Sequence, residues 1–97
     1  MNDPRLLILT SLSSGPKHGH ALLLDIEAFA GVRLGPGTLY GAITRLEERG
    51  LIEPIAAEER KRPYRLTAAG TRELNDSLAG LSRIIETGTA RLAGVTA

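Results

Sequence analysis

Residues 35–50 read Gly35-Pro36-Gly37-Thr38-Leu39-Tyr40-Gly41-Ala42-Ile43-Thr44-Arg45-Leu46-Glu47-Glu48-Arg49-Gly50. Pro36 is suited to open a helix, because its fixed φ matches the first turn and the N–H it lacks would go unpaired there; Gly50 is suited to close one after Arg49. Leu39, Ile43 and Leu46 recur at i, i+4 and i+7, a stripe that must face a core. Gly41, Thr44, Arg45 and Glu48 then point outward, with Thr38 and Tyr40 on the flanks near the N-terminal end. This helix has one face to bury and one short polar face to offer.

The flanking segments set its context. Upstream, Asp3-Pro4 is a helix start, and Leu6, Leu9 and Leu12, with Ile8 beside them, form a first apolar helix ending at Ser13-Ser14-Gly15-Pro16. A second helix is predicted from about Lys17 or His18 to Ala30, with Leu22, Ile26 and Phe29 on one stripe, Asp25 and Glu27 off it, and Gly31 as its stop. Val32-Arg33-Leu34-Gly35 is a short connector to the third helix. Downstream, Leu51-Ile52-Glu53-Pro54-Ile55 and Pro63-Tyr64-Arg65-Leu66-Thr67 alternate apolar and polar residues around a charged segment, Ala56 to Arg62. They read as a two-stranded hairpin whose prolines belong at open edges or strand ends. Thr67 is placed to cap a last helix from about Ala68 to Ala93, in which Leu74, Leu78, Leu81, Ile85, Gly88, Leu92 and Val95 follow four-three spacing. Such a heptad seam on a lone terminal helix calls for a second copy.

Composition narrows the function classes. With 97 residues, one compact domain is expected and no separate catalytic or ligand-binding domain. Apolar residues make up 42%, yet there is one Phe, two Tyr and no Trp, so the core must be built from Leu, Ile, Val and Ala. The absence of cysteine excludes disulfides, thiolate metal sites and thiol nucleophiles. His18 and His20, two positions apart, lie on different faces of a helix and make no metal pair. No Ser/His/Asp arrangement or Gly-rich phosphate loop is present, so no enzyme and no cofactor is expected. No apolar run reaches the roughly 20 residues of a membrane span, and no secretory layout opens the chain, so a cytoplasmic protein without membrane contact is expected.

The order helix, helix, helix, hairpin, helix is the layout of a winged helix-turn-helix. The expected fold is mainly α with a small β-hairpin: a DNA-binding unit over residues 1–67 and a dimerisation helix over 68–97. The formal net charge of +1 says little, but Arg60, Lys61, Arg62 and Arg65 place four of the twelve basic residues within six positions at the hairpin tip. The third helix would enter the major groove of double-stranded DNA and the wing would touch backbone. Thr38 and Tyr40 sit where helix N–H groups and the positive dipole end favour phosphate, and Pro36 and Gly37 beside them join the candidate DNA-binding set. Two other roles stand beside that one: Tyr40 packing over the core edge, and Thr38 helping to cap the helix. Gly41 leaves room for close approach of nucleic acid; Thr44 and Arg45 face outward, although Arg45 could instead bridge to Glu47 or Glu48. Lys17 is a candidate phosphate contact. His18 joins the set but also suits a capping role, and Arg60, Lys61, Arg62 and Tyr64 complete it on the wing. Leu74, Leu78, Leu81, Ile85 and Leu92 are the candidate dimer seam, which would set two recognition helices about one DNA turn apart. The competing reading is a winged-helix protein-interaction module, which would show an apolar patch where this chain has Thr, Tyr and basic residues.

The stretch from Leu7 to Leu74 resembles the PadR-like transcriptional regulators. The resemblance rests on Leu9-Thr10-Ser11-Leu12, Gly15-Pro16-Lys17-His18-Gly19, Leu34-Gly35-Pro36-Gly37-Thr38-Leu39-Tyr40, Arg45-Leu46-Glu47-Glu48-Arg49-Gly50-Leu51-Ile52 and Tyr64-Arg65-Leu66-Thr67-Ala68-Ala69-Gly70. It implies a homodimeric repressor with the third helix in the major groove, the wing on backbone or minor groove, and response to a small hydrophobic or aromatic effector or a stress signal. The chain departs from the family pattern at Gly35 and Gly41, where Ser and Pro are frequent, and at His20, where an aromatic residue is frequent.

Overall fold

Asp3 starts the first element: its carboxylate accepts the backbone N–H groups of Arg5 (3.1 Å) and Leu6 (3.4 Å), and Pro4 takes the first helical position. The computed structural model describes residues 3–55 and 62–96. Its elements are α1 (Pro4–Leu12), α2 (Gly19–Ala30), α3 (Pro36–Glu48), β1 (Ile52–Pro54), β2 (Tyr64–Leu66) and α4 (Ala68–Thr96). The order and the helical character match the sequence reading.

Helix α1 lies at the centre, in contact with α2, α3, α4 and β2. Leu6, Leu7, Ile8, Leu9 and Leu12 are all buried, so this helix is apolar around most of its circumference. Leu22 and Ile26 of α2 and Leu39, Ala42, Ile43 and Leu46 of α3 close the core with Leu34, Leu51 and Ile52. As expected, aliphatic side chains alone make up this buried cluster. Phe29 departs from its predicted place. It is 47% exposed, because the last turn of α2, exposed from Glu27 to Ala30, runs past the core before Gly31 reverses the chain.

One polar cluster, centred on the buried Ser11, ties α1 to α2. Ser11, 1% exposed, donates its hydroxyl to Asp25 (2.6 Å), and its carbonyl accepts the ammonium of Lys17 (2.5 Å). The same ammonium reaches the Ser14 hydroxyl (2.7 Å) and approaches Asp25 (4.0 Å). Lys17 therefore secures the C-terminal end of α1, where carbonyls lack helical partners. It is not helical itself: its backbone bridges Tyr64 in an antiparallel rung, Lys17 N–H to Tyr64 O (3.1 Å) and Tyr64 N–H to Lys17 O (2.9 Å). Helix α2 begins after it, with His18 as N-cap.

The hairpin pairs Ile52 with Leu66, Glu53 with Arg65 and Pro54 with Tyr64. Pro54 ends β1, and Pro63 precedes β2 and accepts the Ile55 N–H (2.8 Å), so neither proline needs to donate. Thr67 then caps α4, its hydroxyl accepting the Gly70 N–H (3.0 Å) and donating to Gly50 O (2.6 Å). At Gly70 the helix lies against the Leu51 carbonyl so closely that a Cβ would stand 1.9 Å from that oxygen. From this root α4 runs along the body through Leu81 and then leaves it; every described side chain from Ser82 to Val95 is exposed. Leu74 was expected in a seam between copies but is buried in the body's own core, and Leu81 packs against that core at partial burial. Both face α1 before the helix projects. Among the seam positions Leu78, Ile85 and Leu92 are exposed, joined by Ile84, which the four-three pattern omits.

Candidate nucleic-acid interface

Helix α3 presents Pro36, Gly37, Thr38, Tyr40, Thr44 and Arg45 on its exposed side, with Gly41 half-buried between them. Its N-cap is Gly35, which has no side chain to satisfy the first-turn N–H groups. Capping by a Thr38 hydroxyl is not observed, so this end offers donors and the positive end of the helix dipole to an anion. Thr44 donates its hydroxyl to the Tyr40 carbonyl one turn back (2.9 Å), so its role toward a ligand is that of an acceptor or a methyl contact. Arg45 forms no ion pair with Glu47 or Glu48 among the described residues. Its guanidinium lies 3.5 Å from where a Gly41 Cβ would be, folded back along the helix.

Tyr40 joins α3 to the start of α2. A Cβ on Gly19 would stand 2.4 Å from the Tyr40 hydroxyl and 2.8 Å from Cζ, so the ring is stacked over a position that only glycine leaves open. The ring is nevertheless 51% exposed, and packing and outward presentation are combined in one side chain. Next to it His18 caps α2, its Nδ1 accepting the Ala21 N–H (3.4 Å). Next again, Lys17 pairs with Tyr64 of β2. The run Tyr64, Lys17, His18, Gly19, Tyr40 is thus a continuous line of contacts from the hairpin to α3 across the α2 start.

The structure does not bring every candidate to this surface. The Lys17 ammonium is engaged inside the fold, with its side chain 18% exposed, so the expected phosphate contact is not assembled. Tyr64 is half-buried against the core. Arg62 is exposed, whereas Arg65 is held by Glu53 (2.8 Å) across the hairpin. Arg60 and Lys61 lie outside the described residues. Sequence periodicity also missed a cleft of about 270 Å³ between α1 and α3, lined by Arg5, Arg45 and Arg49 with Asp3. Arg45 and Arg49 are one turn apart on α3, but Arg5 is forty positions away, and no spacing rule joins it to them. An open trough of about 760 Å³ runs between the start of α1 and α4, with Leu6, Leu81, Ile84 and Gly88 along it and Arg83 and Arg91 at its sides. No group of three or more metal-ligating side chains occurs among the described residues, and no helix there is long and apolar enough to cross a membrane.

Residues 8–76 match the model of the transcriptional regulator PadR-like family. A relative from Streptomyces fradiae, an uncharacterized 37.1 kDa protein in transposon TN4556, is 43% identical over 83 residues, covering 86% of this chain and 24% of its own length. A transcriptional regulator from Mycobacterium tuberculosis is 33% identical over 96 residues, covering 93% of this chain and 89% of its own. The crystal structure of Bacillus subtilis PadR in complex with operator DNA superposes with a TM-score of 0.69 at 25% identity, over 80% of this chain and 48% of that one. The chain therefore spans about a quarter of the Streptomyces relative and nearly all of the mycobacterial one.

Proposed function

Because the chain belongs to the PadR-like family of transcriptional regulators, we propose that it is a sequence-specific regulator, a repressor, that reads a palindromic operator in double-stranded DNA as a homodimer. Residues 1–67 form the reading unit and residues 68–97 the pairing helix. The exposed side of α3 carries this reading. It combines an uncapped N-terminus at Gly35 with Thr38, Tyr40, Thr44 and Arg45 in one groove-sized face. Pro36, Gly37 and Gly41 allow close approach there, His18 and Tyr64 flank it, and Arg62, with Arg60 and Lys61 of the same basic run, supplies phosphate contacts from the wing. The complex of the Bacillus relative with operator DNA supports the same use of the same fold. Pairing draws on Leu78, Ile85 and Leu92, with Ile84 added, whose exposures of 45%, 65%, 69% and 68% are high for apolar side chains. A small hydrophobic effector would fit the trough between α1 and α4, where it could bias the separation of the two reading helices. Such a regulator carries out no catalytic step and acts in the cytoplasm.

The test is selection from a random duplex pool, followed by anisotropy titration of the enriched duplex and a scrambled control across a salt series. A regulator enriches one palindromic sequence and binds it about a thousandfold or more tighter than the control. No enrichment, with equally weak binding to both duplexes at low salt, would instead indicate a protein-interaction module.

A further inference from the structure

The root of α4 is fastened to the body by two kinds of contact. On one side Leu74 and Leu81 pack into the core, and the first turn rests on the Leu51 carbonyl at Gly70. On the other, Glu73 receives Arg5 of α1, Nη1 to Oε2 2.9 Å, and lies 3.9 Å from Nη2 of Arg49, the C-cap residue of α3. The same Arg5 nitrogen also reaches the Ser77 hydroxyl one turn further along α4 (3.3 Å), and Arg5 Nη2 lies 3.5 Å from Asp3. One carboxylate thus joins the central helix, the end of the reading helix and the base of the projecting helix.

The two kinds of contact do different work. Apolar packing is non-directional and the Thr67 hydroxyl bond to Gly50 fixes the first turn alone, so together they hold α4 down but set the tilt of the following turns less firmly. A charge-assisted guanidinium–carboxylate contact is directional, and here two hydrogen bonds from Arg5 to successive turns of α4 fix its rotation and tilt. The side chains of Arg5, Glu73 and Arg49 are 31%, 33% and 54% exposed, so the pairs are screened and add little to stability. Their geometric effect is amplified, since α4 extends four turns beyond Leu81 before its described end, and a small rotation at the root becomes a large displacement at the far end.

We infer that Glu73 is a positioning residue which, by tying α4 to Arg5 and to Arg49 at the end of α3, sets the half-site spacing that the paired protein accepts. The inference rests on the DNA-binding dimer proposed above. Glu73 touches no DNA in this account; it acts through the angle between the pairing helix and the reading helix.

The experiment measures affinity of the full chain for duplexes carrying two selected half-sites at the preferred spacing and at spacings changed by two base pairs, with dimer mass and thermal midpoint recorded alongside. The wild type is expected to prefer one spacing. Glu73→Ala should keep its dimer mass and a thermal midpoint within a few degrees, while the advantage of the preferred spacing shrinks by about three- to fivefold. Glu73→Gln, which keeps an acceptor for Arg5, should fall between. A spacing profile in Glu73→Ala identical to wild type would overturn the inference while leaving the DNA-binding reading intact. So would a wild type that binds both half-sites without spacing preference. A wild type that binds none of the duplexes would overturn both.

Discussion

Helix α4 is one continuous helix with two environments. Up to Leu81 it belongs to the body: Thr67 caps it, Gly70 rests on a backbone carbonyl, Leu74 is core and Glu73 is ion-paired. Beyond Leu81 every described side chain is exposed, and Ile84, Ile85, Leu92 and Val95 are 65–81% exposed. The heptad pattern runs across both halves, interrupted only at Gly88. Periodicity reports which residues need covering, and only the tertiary arrangement decides whether the same chain or a second copy covers them.

That contrast is most severely tested by deletion on each side of it. Leu39→Ala, at a fully buried site of α3, is expected to cost about 3 kcal/mol in chemical denaturation and to weaken every downstream property with it. Leu78→Ser combined with Ile85→Ser should behave oppositely. The body stays folded by circular dichroism, sedimentation shows a monomer, and binding to a two-half-site duplex weakens by about a hundredfold as the second site loses its tether. A folded dimer in that double variant would move the pairing surface elsewhere. Polar side chains sharpen the same comparison. Ser11→Ala removes a buried donor from Asp25 and should cost about 1–2 kcal/mol, whereas Ser82→Ala on the exposed half should stay within about 0.5 kcal/mol, both read by urea denaturation. The smallest effect is expected at the wing. Arg62→Ala should leave stability unchanged and reduce the slope of log affinity against log salt by about one, and an unaltered slope would remove Arg62 from the phosphate contacts.

Much of the fold was legible because local signals agreed with one another. Asp3-Pro4, Pro36, Gly31 and Thr67 bound their helices as read, and the stripe Leu39, Ile43, Leu46 is buried as its spacing requires. What the sequence concealed depends on contacts between distant residues. The second helix reads as starting at Lys17 or His18, yet Lys17 is drawn into an antiparallel rung by Tyr64, its charge is absorbed by the end of α1, and the helix starts after the His18 cap. Phe29 sits on the correct stripe but beyond the end of the core. The Glu73 tie joins residues separated by 68 positions and leaves no trace in periodicity. On α3 the outward residues were identifiable from spacing alone, whereas the Thr44 back-bond and the stacking of Tyr40 over Gly19 needed coordinates.

The most direct test of this division of labour is the mass of the protein–DNA complex, measured by native mass spectrometry on a duplex with two selected half-sites and on one with a single half-site. Two chains on the two-site duplex, with the single-site complex much weaker at equal protein concentration, is the result expected of a reading body joined by an exposed helix. One chain per duplex, bound equally tightly with one half-site or two, would contradict it.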